Sequence, residues 1–167
     1  MIRRAVFSAF AITLVLVSLP ALAQGDQEKP KYYVGSFTLD EILEHDEQYA
    51  DRAFIYVPDP DALAIFKTVS EPVTIKLFYR TDCPDSVREV PPFIKTIQLA
   101  DNPNITVESV GVNRAKDEPA DLVEGWNIQR VPTFIVVHGG EEVGRVIETA
   151  KVKIEVDLAE FLEPFTK

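Results

Sequence analysis

Cysteine is nearly absent from this chain: its 167 residues include one, Cys83. Without a second thiol the chain cannot close a disulfide on itself, unlike the small exported domains that are stapled by cysteine pairs. Histidine is almost as scarce. His45 and His138 stand alone, with no Cys/His spacing of a metal site, so neither a metal nor another cofactor is expected. Glycine supplies seven residues, none in a loop that could cradle phosphate. Positive charge is short as well, with 17 Lys+Arg against 27 Asp+Glu and a net of −10. Such a chain lacks the basic patches that nucleic acid or an anionic bilayer requires, so neither is expected as a partner. The one long apolar run, residues 5–19, falls short of the roughly 20 residues of a membrane-spanning helix.

That apolar run has its own meaning. Arg3 and Arg4 precede it, Pro20 breaks it, and Ala21-Leu22-Ala23 offers the small-x-small pattern of a cleavage site. Residues 1–23 are expected to be an export signal of compact bacterial type, which places the product in the periplasm with no membrane contact after cleavage. Cleavage removes two arginines and no acid, taking the net charge from −10 to −12. Gln24 to Lys31 is polar, with Gly25 and Pro30, and residues 24–37 are expected to be a flexible lead-in. Over 38–52, Leu39, Ile42, Leu43, Tyr49 and Ala50 recur at helical spacing behind a Thr38/Glu41 capping box, which predicts an N-terminal helical extension. Residues 53–167 then make one domain.

Within that domain residues 54–57 are read as a short strand, and Asp59 to Asp61 as caps of a helix carrying Leu63, Ile65, Phe66 and Val69. Residues 73–79 are β-branched and aromatic and predict a central strand. A helix runs from Pro84, well placed at a first helical position, to about residue 100, with Pro91 and Pro92 inside it. Residues 105–112 predict a strand and 119–126 a short helix, followed by Asn127 in the left-handed region. Residues 134–137 and 143–147 pair about Gly139-Gly140, and 156–165 form a closing helix. Alternation ending in a hairpin implies an α/β fold, a central mixed sheet flanked by helices.

Cys83 falls at the mouth of the helix, where unpaired backbone N–H groups and the positive end of the dipole favour a thiolate. Its neighbours Thr81, Asp82, Asp85 and Ser86 are polar, so a solvent-accessible thiol is expected rather than a packed one.

Cys83-Pro84-Asp85-Ser86, a later proline in the same helix, Trp126-Asn127-Ile128-Gln129-Arg130-Val131-Pro132-Thr133, and Gly140-Glu141 before a strand occur in order. Together they resemble the thioredoxin-like superfamily over residues 53–163, in an exported Cys-x-x-Ser form. The resemblance implies a thioredoxin fold with the Val131–Pro132 bond cis beside Cys83. It implies catalytic roles for Cys83, Ser86 and Pro132, and substrate contacts at Pro84, Asp85, Val131 and Thr133, with an extended peptide pairing to the backbone of Val131.

Three departures from the family pattern matter. Ser86 stands where the second cysteine would release the mixed disulfide, and a hydroxyl cannot carry out that exchange. Leu77 stands where thioredoxins keep a buried acid, and Asp82 where they keep tryptophan, with the opposite charge of Arg80 nearby. Two main functions follow. One is monothiol exchange with a disulfide or sulfenic acid, in which a client protein or small thiol is held on Cys83 of a monomer until an external thiol resolves it. The other is a redox-inactive peptide- or protein-binding module on the same fold. A peroxidase-like sulfenic acid at Cys83 is a third, weakened by the lack of a threonine or arginine clearly placed to activate peroxide.

Overall fold

The computed structural model describes residues 32–167. The expected signal and most of the expected lead-in lie outside the described residues. The elements run β1 (Gly35–Phe37), α1 (Leu39–His45), α2 (Glu47–Ile55), α3 (Pro60–Thr68), β2 (Val73–Tyr79), α4 (Pro84–Ala100), β3 (Ile105–Gly111), α5 (Ala120–Val123), β4 (Thr133–His138), β5 (Glu141–Ile147) and α6 (Ile154–Leu162), closed by a 3-10 turn at Glu163–Phe165.

The sheet has the order β1-β3-β2-β4-β5. β2 runs parallel to β3 and antiparallel to β4, and β4 and β5 form a hairpin. The hairpin turns on Gly139 and Gly140, whose φ angles of 58° and 86° are those a tight turn demands and glycine adopts freely. Side chains alternate along β2. Val73, Ile75, Leu77 and Tyr79 face one way, into a core closed by α2, α3, α4 and α6. Phe78 faces the other way and meets Val110, Ile135 and Val137 beside α5.

The local signals in the sequence account for the helix starts. Thr38 Oγ1 accepts from the Glu41 N–H at 3.2 Å, and the Glu41 carboxylate accepts from the Thr38 N–H at 2.7 Å. These bonds hold Glu41 below the usual carboxylate range. Asp46 caps α2, and Asp59 caps α3 ahead of Pro60. Inside α4 the Thr96 hydroxyl donates to the Pro92 carbonyl at 2.9 Å. Asn127 takes φ 50°, the left-handed conformation expected of it.

The predicted strand at 54–57 is not a strand. Helix α2 continues through Ile55, and the Tyr56 N–H donates to the Arg52 carbonyl at 3.1 Å. Tyr49 and Ala53, one turn apart and buried, set the helical phase, which turns Phe54 outward to 83% exposure. Tyr56 is held instead by Glu155, wholly buried at the start of α6, which accepts from the Tyr56 hydroxyl at 2.9 Å and the Asp59 N–H at 3.0 Å. The expected lead-in also ends in structure. Its last residues form β1, paired antiparallel to β3 with Gly35 opposite Gly111 and Phe37 opposite Ser109. The helix expected at 119–126 shortens to α5, because Glu124 leaves helical geometry and Gly125 takes φ 84°.

Candidate functional site

Cys83 is the last residue before α4, extended at φ −88° and ψ 122°, and its carbonyl accepts the first helical hydrogen bond from the Val87 N–H at 3.0 Å. Its own N–H donates to the Arg80 carbonyl at 3.0 Å, which closes the loop between β2 and α4. The sulfur turns away from solvent. Cys83 is 9% exposed, packed with Phe78, Ile128 and Val131, and its thiol donates to the Val131 carbonyl at 3.3 Å. This corrects the expectation of a solvent-accessible thiol. Two of the four polar neighbours that suggested exposure are themselves turned inward, Thr81 being buried and Ser86 0% exposed, while Asp82 and Asp85 are half-buried.

The Val131–Pro132 peptide is cis. The Pro132 carbonyl accepts from the Glu148 N–H at 2.8 Å, so the segment is tied to the residue just after β5. Thr133 is buried and its hydroxyl donates to the Arg130 carbonyl at 2.7 Å, an intrachain role where substrate contact was expected of it. Ser86 shares the helix face of Cys83, but its Oγ accepts from the Arg80 N–H at 3.4 Å, bracing the loop. Pro84 is exposed. Asp85 is half-buried and pairs with Arg88 at 2.7 Å. The structure thus gathers Cys83, Val131 and Pro132 at one point, leaves Pro84 and Asp85 at the rim, and sets Ser86 and Thr133 inside.

The charge beside the sulfur is compensated. Asp82 pairs with the Arg80 guanidinium and lies 3.7 Å from Arg114. The Arg80 guanidinium also sits 5.9 Å from the Tyr32 ring centre. Arg88, around the helix, serves Asp85, Glu89 and Thr149 rather than the thiol. Among the described residues no three His, Cys, Asp or Glu side chains gather as a metal site.

One side chain expected only on the apolar stripe of the extension has a further feature. Tyr49 of α2 is 0% exposed and its hydroxyl has no hydrogen-bond partner. Its phenol is pushed far above the ordinary range, first by burial and then by Tyr79, Cys83, Asp46 and Asp82. Tyr79 Oη and Thr81 Oγ1 are likewise buried without partners. The available signal was chemical: Tyr49 lies on the apolar stripe of the helix, yet a buried tyrosine hydroxyl ordinarily finds a partner.

No family model matches the chain. A stretch of 39 residues, 23% of the chain, is 41% identical to Thioredoxin H2-1 of Oryza sativa subsp. japonica. A stretch of the same length is 36% identical to Thioredoxin H2-2 from the same plant. The chain spans 28% and 29% of the lengths of these curated relatives. Among solved structures, an HIV epitope-scaffold superposes with a TM-score of 0.60 at 14% identity, over 78% of this chain and 93% of that one. A mutant thioredoxin from Halobacterium salinarum gives a TM-score of 0.42 at 22% identity, over 59% of this chain and 79% of that one. The mixed five-stranded sheet flanked by helices, the helix that opens at Cys83 and the short stretch of thioredoxin likeness agree: the chain has a thioredoxin-like α/β fold.

Proposed function

We propose that this protein, exported to the periplasm by its first 23 residues, performs monothiol exchange through Cys83. The thiolate attacks one sulfur of a client disulfide, a new S–S bond forms, and the departing sulfur leaves with the electron pair and takes up a proton. With a sulfenic acid the leaving group is hydroxide, released as water once protonated. Ser86 cannot attack the mixed disulfide, so an external thiol displaces the client and returns Cys83 to its reduced form. The observation that carries this reading is the placement of the one thiol at the start of a 17-residue helix, against the carbonyl that precedes Pro132. Pro84 and Asp85, at the rim, are the side chains a client meets first.

Incubation with oxidised glutathione under native conditions, read by intact mass, tests the proposal. One glutathionyl group per chain, absent in Cys83→Ser, is expected. Labelling that appears only in denaturant would remove monothiol exchange from consideration.

The burial of Cys83, Ser86 and Thr133 favours a second reading, a binding module that recognises peptide or protein without turnover. It predicts that Cys83→Ser recovers the same partners from periplasmic extract as the natural chain, and loss of all partners on that change would count against it.

A further inference from the structure

Four arginines stand around the loop that carries Cys83, and three of them have close partners. Arg80 pairs with Asp82, Arg88 with Asp85 and Glu89, and Arg130 with Glu148. Arg114 is the exception. Its guanidinium lies 3.7 Å from one Asp82 oxygen, longer than a hydrogen bond, while the other oxygen is taken by Arg80, and its side chain is 67% exposed. The sheet sets its place. Tyr79 and Gly111 lie opposite each other where the parallel strands β2 and β3 end, and the Val112 N–H donates to the Tyr79 carbonyl at 2.9 Å. Asp82 comes three residues after Tyr79 and Arg114 three after Gly111, so the two loops leave the sheet side by side at the strand ends, where ligands of open α/β sheets gather. The second loop is held by its own bonds. Asn113 Nδ2 donates to Asp117 at 2.7 Å, the Asp117 N–H to Asn113 Oδ1 at 3.2 Å, and the Lys116 N–H to the Asn113 carbonyl at 3.1 Å. Asp117, an acid of the same loop, is thereby engaged, and the Arg114 fork is presented on a fixed turn.

We infer that Arg114 is a specificity-determining residue that takes a carboxylate carried by the substrate of Cys83 close to its disulfide. Asp82 is the residue before Cys83, so a guanidinium bordering Asp82 borders the ground that a client must occupy. A planar fork of N–H donors suits a carboxylate in a way that a neutral group cannot match. The chain as a whole is acidic, with a net charge of −10, and would repel an anionic substrate unless a local cation offset its field. The inference rests on the reading of Cys83 as an exchanging thiol and names the substrate class of that site, a carboxylate-bearing disulfide from an acidic peptide segment or a small acidic thiol. Arg114 makes no covalent bond and carries no electrons. The Cys83 sulfur still forms the new S–S bond, and the departing sulfur still leaves with the electron pair and takes up a proton.

The test compares rates of mixed-disulfide formation at Cys83, timed by intact mass, for dithiodipropionate, with a carboxylate at each end, and hydroxyethyl disulfide, its neutral counterpart. A second pair of probes is a peptide disulfide with either aspartate or asparagine beside the half-cystine. The expected result is an anionic-to-neutral rate ratio that Arg114→Gln lowers about fivefold, the size of one charge contact at about 4 Å in water. Added salt is expected to lower the same ratio in the natural chain. Arg52→Gln, which removes an exposed arginine of α2, is expected to leave it unchanged. A ratio lowered with the small probes alone assigns the site to a small acidic thiol, and one lowered with the peptides as well assigns it to an acidic client segment. If Arg114→Gln lowers the ratio no more than Arg52→Gln does, Arg114 is an ordinary surface arginine, and the inference is overturned while the monothiol reading stands. A natural chain that reacts with none of the probes would end the monothiol reading and this inference with it.

Discussion

The two faces of the sheet are covered very differently. On one, α2, α3, α4 and α6 close over a cluster of twenty buried apolar residues, and on the other the four-residue α5 and the neighbouring loops leave nine, Cys83 among them. The thin face is edged by Leu122 and Trp126, both half-buried, with the Lys76 ammonium 4.7 Å from the Trp126 ring centre. A region with little buried apolar surface opens locally at smaller free energy than the global transition. The difference teaches where stability is expected to lie: the thick face buries most of the apolar surface, and the thin face, which holds Cys83, is expected to open at the smaller cost.

Matched core truncations test that division most forcefully. Phe93 is wholly buried on the thick face, 5.1 Å from the Phe134 ring. Phe93→Ala is expected to destabilise the protein by about 3–5 kcal/mol. Ile128→Ala on the thin face is expected at the low end for such a change, about 2 kcal/mol, with equilibrium urea unfolding as the measurement. Equal losses would break the comparison.

A smaller effect asks whether the thick face depends on more than apolar area. Glu155 is its buried polar latch, tying the Tyr56–Asp59 segment to α6. Glu155→Ala should lower stability by about 2 kcal/mol, read in the same unfolding assay, and a neutral result would reduce that face to packing alone.

The smallest effect belongs to the sheet edge. His45 stacks on Tyr33 at 3.6 Å and meets Phe37 edge-on at 4.5 Å, so it clasps β1 to α1. Burial holds its imidazole below the ordinary 6.5, against the opposing pull of Glu41 and Glu44. A folded-state value below the unfolded one means that the unfolded chain binds the proton first. The contribution is complete above the unfolded value and is lost as pH falls towards the folded one. His45→Phe should flatten the stability slope below about pH 6.5 in urea titrations run at several pH values, and an unchanged slope would show that the imidazole is fully hydrated there.

Much of this architecture is legible locally. The residue types of β2, the Thr38/Glu41 box, the Asp59-Pro60 start, the Gly139-Gly140 turn and the proline after Cys83 each encode their element within a few residues. The failures share a cause, which is information held far away in the chain. The Phe54-Ile55-Tyr56-Val57 run has strand composition, but its fate is decided by Glu155, 99 residues from Tyr56. β1 is three unremarkable residues whose partner, Ser109 to Gly111, lies over seventy residues downstream. At the candidate site the place of Cys83 at a helix mouth could be read from order and type. Its burial could not, because the side chains that cover it, Ile128 and Val131, come from a different segment. Polar neighbours misled for the same reason: Ser86 satisfies the Arg80 amide and so can point inward.

That last contact bears on how the protein could change. Placing cysteine at position 86 would not by itself create a working thiol pair. The pocket there is sealed at 0% exposure and fitted to an oxygen that receives the Arg80 amide, whereas sulfur is bulkier and a poorer acceptor. Leu77, buried and apolar, offers no group to relay a proton. The single thiol is therefore not half of a broken pair awaiting repair. Loop and floor are both shaped around it, and a second thiol would require refashioning the two together.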